Sequence, residues 1–266
     1  MKNVTELELI LFESSAQGAR RSQSFGITKF MLDWEQFGKT ERQSDFDTEI
    51  KPVGVVELAS VAAVPGALAW CRINSYSPNT QKEIELAIDA GTHGVFLPMV
   101  THPQQVEHFL RLLDGRCASG ILIETEAALT CAKDIAMLPL ERIYFGLNDF
   151  AISRRERCIF LALLDGSLER AREAFVGKSF GFGGVTAIDS GHPIPCARLI
   201  EEMARLDCQF SFLRRSFRRD VERIGGAALI ENVQSHWERC RARSEAAVRS
   251  DRHALEQLLR EICRDA

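Results

Sequence analysis

No stretch of the sequence approaches the roughly 20 consecutive apolar residues that a membrane helix needs, although 45% of the chain is hydrophobic. Nor does the chain open with the charged, apolar and small-residue order of a secretory leader, so a cytoplasmic protein without a membrane partner is expected. An excess of positive charge is also missing. Lys and Arg number 33 against 37 Asp and Glu, for a net charge of -4, and no basic footprint points to nucleic acid as a partner. The eight cysteines contain no C-x-x-C pair and no cluster with histidine at zinc spacing. They read as reduced thiols that mostly fill cores. No internal repeat or low-complexity linker divides the chain, and 266 residues suit one α/β barrel domain.

What is present is an alternation of short, β-rich apolar runs with longer segments of helical period, the rhythm of a parallel sheet with crossover helices. Eight runs qualify as strands, at 7–12, 27–34, 67–74, 94–98, 119–124, 142–147, 179–186 and 209–214. Runs such as Ile121-Leu122-Ile123 and Ile143-Tyr144-Phe145 are continuously apolar, as expected of strands covered on both faces. Eight such units favour closure into a (βα)₈ barrel, with its core at about 7–217. After the third run, Ile84, Ala87 and Ile88 share one helical face, and Gly91 is placed to end that helix. Residues 219–266 read as helix with a further apolar face, suited either to the barrel bottom or to another subunit.

The loops at the C-terminal ends of barrel strands build active sites, so the residues that end each run matter most. Those ends carry Asp33-Trp34-Glu35 with Gly38-Lys39, Arg72-Ile73-Asn74, Pro98, Glu124, Asn148-Asp149, Gly183-Gly184 and Arg214-Arg215. Glu124 and Asp149 fall on adjacent strands, where two carboxylates can share Mg²⁺ or Mn²⁺ and leave positions for a chelating substrate. Arg72 offers a permanent cation to a 2-oxo acid carboxylate or a developing enolate oxygen. A Schiff-base lysine is less suited, because Lys29 and Lys178 lie at the opposite ends of their strands.

Each of these residues also has a plainer role open to it. Glu124 and Asp149 can cap helices, Arg72 can be a structural partner of Asp33 or Glu35, and the glycine pair at 183 and 184 can serve either a phosphate or a tight turn. His192 lies on the active-site side before Pro193 and can be a solvated loop residue or a proton carrier.

In combination, the residues resemble the HpcH/HpaI aldolase and citrate lyase beta-subunit family of the pyruvate and phosphoenolpyruvate barrel superfamily. The resemblance runs through most of residues 7–217. It includes Leu32-Asp33-Trp34-Glu35, Gly38-Lys39, Arg42-Gln43, Cys71-Arg72-Ile73-Asn74, Ala90 through Met99, Ile123-Glu124-Thr125, Gly146-Leu147-Asn148-Asp149, Gly181 through Gly184 and Arg215-Ser216-Phe217. It implies that Glu124 and Asp149 bind Mg²⁺ or Mn²⁺, that Arg72 contacts the pyruvyl unit, and that the protein is a homo-oligomer. The aldolase branch carries a histidine base directly after the strand 2 glutamate and the citrate lyase branch an acid. Here that position is Gln36.

The resulting expectation is a metal-dependent carbon-carbon lyase or aldolase acting on a pyruvate-type 2-oxo acid or its aldol adduct, with an aldehyde or acyl acceptor. Arg72, Glu35 and Lys39 are the catalytic candidates, and Glu124 and Asp149 the metal ligands. Arg72, Asn74, Pro98, Gly183, Gly184 and Arg215 are the candidates for substrate contact. A phosphoenolpyruvate-using transferase or mutase of a biosynthetic pathway and a non-catalytic barrel that binds a metabolite or partner are the alternatives.

Overall fold

The computed structural model describes residues 6–35 and 52–264. In chain order the elements are β1 Glu8–Phe12, α1 Ala16–Gln23, β2 Lys29–Asp33, α2 Pro52–Ala62, β3 Leu68–Arg72, α3 Thr80–Asp89, β4 Gly94–Leu97, α4 Pro103–Leu113, β5 Ala118–Ile123, α5 Glu126–Thr130 and α6 Ala132–Ala136. They continue with β6 Arg142–Phe145, α7 Leu147–Ser153, α8 Ser167–Ala174, β7 Ser179–Val185, α9 Cys196–Arg205, β8 Phe210–Leu213, α10 Phe217–Ile224, α11 Gly226–Arg241 and α12 Glu245–Arg264. Neighbouring strands pair in parallel from β1 round to β8, and β8 pairs with β1, which closes the barrel. Every strand expected from the sequence is present; β5 keeps its expected length but starts one residue earlier, and the others are shorter by one to three residues, because apolar patterning continues into loops after ladder pairing has stopped.

Side chains alternate across a strand, and that alternation divides the apolar residues into two cores. Ile10, Met31, Trp70, Phe96, Leu122, Tyr144, Phe210 and Phe212 fill the lumen. Their strand neighbours, such as Leu9, Leu11, Ala69, Cys71, Ile121 and Ile123, face the helices in a continuous outer layer. Aromatic rings therefore plug the barrel centre, where Trp70 lies 5.2 Å from Phe96 and Tyr144 lies 4.1 Å from Phe212, centroid to centroid. Beneath them, Lys29 and Arg142 both pair with Glu8 at the N-terminal end of the barrel. Lys178 donates to the Leu138 carbonyl at 2.7 Å, so both lysines stand where the sequence placed them, at the N-terminal ends of their strands. The helix after β3 ends at Asp89, and Gly91 follows with a φ of 83° that favours glycine.

The C-terminal helices pack on the flank of the barrel. α11 buries Leu229, Val233, Trp237 and Cys240, lies against α9, and reaches the start of β1 through paired Gln234–Leu7 hydrogen bonds of 3.0 and 2.8 Å. α12 buries Leu255 and Leu259, and Arg252 on it pairs with Glu202 at 2.6 Å and Glu169 at 3.1 Å. A disulfide joins Cys263 near the end of α12 to Cys158. This corrects the expectation of eight reduced thiols. The partners are 105 residues apart, and only tertiary packing brings their Cα atoms to 5.2 Å. The remaining six cysteines are free, with Cys71, Cys196, Cys208 and Cys240 buried as expected. Alkylation of the denatured, unreduced protein is accordingly expected to label six thiols, rising to eight after reduction, as intact mass will show. Labelling of eight thiols without reductant would contradict the crosslink.

Candidate active site

The alternation that places rings in the lumen also decides which side chains stand above them. Two residues beyond a side chain that fills the lumen, the next inward position falls at the C-terminal strand end: Arg72 follows Trp70, Glu124 follows Leu122, and Arg214 follows Phe212. These three line a cavity of about 800 Å³, a volume within the usual range of ligand sites. Its floor and wall include Phe12, Tyr144 and Phe212, and Asp33, Asn148, Asp149, Gly183, Gly184, Arg215 and Arg218 also belong to its lining. Ile159 and Phe160, next to the crosslinked Cys158, also line it.

Asp33 and Arg72 are partners in the β2–β3 register, which sets their side chains side by side. The Arg72 Nε donates to Asp33 Oδ1 at 3.0 Å and Nη2 to Oδ2 at 2.7 Å, while Nη1 pairs with Glu35 Oε2 at 2.9 Å. The guanidinium is only 12% exposed and lies 5.6 Å from the Phe12 centroid. Burial opposes its charge, but the hydrogen bonds and charges of Asp33 and Glu35 prevail, with Glu124 adding to them, and its pKa is raised. The structural partnership foreseen for Arg72 is thus real, and the same residue faces the cavity.

Glu124 is buried, and helix capping does not account for it. Thr125 is the N-cap of α5 and accepts from Ala128 N, whereas Glu124 Oε2 accepts from Met99 N at 3.1 Å. Met99 holds a φ of 52°, a left-handed conformation that is uncommon outside glycine and that recurs at functional sites. Opposite, Gly146 leaves the space that Glu124 occupies. A Cβ there would stand 2.5 Å from Glu124 Cγ and 2.6 Å from Oε1. Burial, then the Glu35 charge and the Asp149 charge push the Glu124 carboxyl up to about 8 against the relief given by Arg72 and the Met99 amide. Asp149 sits in the first turn of α7, half-buried, and its side chain makes no hydrogen bond or ion pair among the described residues.

The other expected contacts divide. Gly183 and Gly184 line the cavity, but their geometry serves neighbours: the Gly183 carbonyl accepts from the buried Tyr144 hydroxyl, and a Cβ on Gly184 would lie 2.7 Å from Arg214 Cγ. Burial foremost, then the Glu124 charge, raises the Tyr144 pKa and keeps that hydroxyl a donor. Asn74 is turned to α3, where its backbone N–H and Nδ2 donate to Glu83 at 2.9 and 2.8 Å, and neither it nor Pro98 is among the cavity-lining residues. His192 is exposed and also away from the lining. Lys39, Gln36, Gly38, Arg42 and Gln43 lie outside the described residues. Among the described residues, no lysine lines the cavity, no group of three or more His, Cys, Asp or Glu is arranged to hold a metal ion, and no helix is long and apolar enough to cross a membrane.

Two site residues were not singled out from the sequence. Tyr144 was hidden in a run read only as a buried strand, and Arg214 was passed over for Arg215. The inward series Phe210, Phe212 and Arg214 is the signal that identifies the latter.

No family model matches the sequence, and no curated protein matches it. Solved structures do match in fold. An HpcH/HpaI aldolase/citrate lyase family protein from Burkholderia cenocepacia J2315 aligns with a TM-score of 0.60 at 14% identity, covering 84% of this chain and 96% of that one. A citrate lyase from Burkholderia xenovorans LB400 aligns with a TM-score of 0.58 at 16% identity, covering 89% and 78%. The 3-hexulose-6-phosphate synthase of Salmonella typhimurium reaches 0.59 at 11% identity, covering 89% and 100%. At such identities the likeness is one of fold, shared with lyases, aldolases and synthases alike.

Proposed function

We propose that the protein is a divalent-metal-dependent carbon-carbon lyase or aldolase that handles a pyruvate-type 2-oxo acid or its aldol adduct. The observation that carries this reading is the buried Glu124 carboxylate, crowded by Asp149 and Glu35, while Arg72, whose charge also acts on it, is already divided between Asp33 and Glu35. Two hard oxygen donors with no counter-cation of their own among the described residues suit Mg²⁺ or Mn²⁺, so the residues fit the ion that the resemblance implies. A bound ion would supply Lewis-acid stabilisation of negative charge on the substrate's 2-oxo oxygen.

The chain supplies the rest. Arg72 presents a permanent charge to the substrate carboxylate or the enolate oxygen, held in place by its two acids so that little reorganisation is needed as charge develops. Glu35, which shares Arg72 with Asp33, and Lys39 on the following segment are the candidates to exchange a proton with the carbon of the enolate. Phe12, Tyr144 and Phe212 keep the floor of the cavity apolar, which strengthens every charge interaction above it. The lyases and aldolases among the structural neighbours agree with this reading.

Isothermal titration of pyruvate and oxalate, with Mg²⁺ or Mn²⁺ and again after chelation, tests it. Binding is expected only with the ion. Glu124→Gln and Asp149→Asn should each weaken it by more than the roughly 10- to 100-fold that outer partners of a metal contribute. Ion-independent binding, or full turnover in Glu124→Gln, would refute the assignment.

A further inference from the structure

The cavity holds a second cationic position that the enolate chemistry leaves unused. Arg214 is the inward residue after Phe210 and Phe212 on β8, and it is half-buried in the cavity wall. Counting round the closed barrel, β8 stands three strands from β3, which carries Arg72, and three strands in the other direction from β5, which leads to Glu124. Arg214 thus faces the proposed reacting centre from across the mouth. Acidic groups abound in the same cavity, yet the Arg214 side chain makes no ion pair or hydrogen bond with any of them among the described residues. Arg218, one turn further on, differs: it pairs with Glu13 at 3.0 Å and donates to the Phe12 carbonyl. Arg215 is exposed at the rim and is also without a side-chain partner among the described residues.

The approach of Arg214 depends on its neighbour. Its aliphatic stem lies where any side chain at position 184 would stand, so Gly184 gives the guanidinium its route along the wall. An arginine placed in this way and left without a counter-ion is a binding group for an anion, since guanidinium matches carboxylate and phosphate through paired hydrogen bonds. The cavity, at about 800 Å³, has room for a molecule that reaches from Glu124 to Arg214.

We infer that Arg214, assisted by Arg215, forms a distal anion subsite, and that the physiological substrate carries a second anionic group, carboxylate or phosphate, remote from its 2-oxo acid end. This rests on the proposed enolate site for the orientation of the substrate, whereas the subsite itself does not need that site to work.

Two sets of titrations separate the ideas. With Mg²⁺ present, four- to six-carbon 2-oxo dicarboxylates should bind at least tenfold more tightly than pyruvate in the wild type, the effect of one charge-assisted contact. Arg214→Gln should bring that ratio near one and leave pyruvate affinity within about twofold, with Arg214→Lys retaining part of the preference. Without metal, inorganic phosphate and succinate should bind weakly to the wild type and to Glu124→Gln but not to Arg214→Gln, and whichever binds more tightly identifies the distal group. Circular dichroism melts confirm that the variants are folded. A dicarboxylate preference that survives in Arg214→Gln, or the absence of any such preference together with no anion binding, overturns the subsite. Loss of ion-dependent pyruvate binding with Arg214-dependent anion binding intact would instead count against the enolate reading alone.

Discussion

Arg72→Met is expected to abolish ion-dependent binding of 2-oxo acids and to lower stability, two effects with separate causes. The guanidinium compensates Asp33 and Glu35 in a setting where all three side chains are largely withdrawn from water. Removing one member of such a cluster leaves buried carboxylates uncompensated, which typically costs 3–5 kcal/mol when a buried pair is broken, with the lower end favoured here because Asp33 retains some contact with solvent. Glu124 would lose the cation that holds its pKa down and take up a proton still more readily. The functional loss has another origin: the charge that meets the substrate is gone, and removal of one such stabilising group usually costs about 10²–10³ in rate. Arg72→Lys should recover stability in part and binding little, because a single ammonium cannot reproduce the Nε and Nη2 contacts to Asp33 while also reaching Glu35. Pairing Arg72→Met with Asp33→Asn provides the control. The double variant should regain part of the lost melting temperature, since Glu35 stays uncompensated, and none of the binding. If Arg72→Met binds pyruvate within about threefold of the wild type, Arg72 is structural and the enolate role assigned to it is wrong.

Much of this site was legible in the sequence because barrel geometry converts strand ends into one rim. Knowing only that each apolar run is followed by the active-site loop, one arrives at Asp33, Glu35, Arg72, Glu124 and Asp149, and the structure brings all five together. What sequence position does not give is the direction of a side chain at the end of a strand, where pairing stops and the period can slip by one. Asn74 shows this: two residues past Arg72, it has left the ladder and turned to Glu83 outside the barrel. Arg214 shows the converse, since adjacent arginines look equivalent until the inward series on β8 is traced from its phenylalanines. The glycines at 146 and 184 are readable only in three dimensions. Their purpose is the room they leave for Glu124 and Arg214, which come from other strands. The Cys158–Cys263 crosslink likewise has no local signature across its 105-residue separation.

Glu124 makes the second large prediction, and its sign follows from its proton. With no metal bound, the folded protein holds the carboxyl protonated up to about 8, whereas the unfolded chain releases that proton near the ordinary glutamate value of 4.5. A group whose pKa is raised on folding contributes stability that is fully present below the unfolded value and is lost as pH rises through the folded one. The metal-free protein should therefore lose stability between about pH 4.5 and 8, by at most on the order of a few kcal/mol from this residue. Glu124→Gln keeps the neutral form at every pH and retains an oxygen acceptor for the Met99 amide, so its melting temperature should exceed that of the metal-free wild type at pH 8 and converge with it near pH 4.5. A divalent ion reverses the order, because it replaces the proton on the wild-type carboxylate and finds no carboxylate in the variant. Titration of Mg²⁺ or Mn²⁺ below pH 8 should accordingly release close to one proton per ion, seen as a dependence of the heat on buffer ionisation enthalpy, with affinity rising as pH approaches 8. Equal pH profiles for the two metal-free proteins would mean that Glu124 is already ionised in the folded state. Where the profiles differ as expected, proton-free uptake of the ion would mean that Glu124 is not its ligand, and the crowding of carboxylates at the rim would then need another cation to explain it.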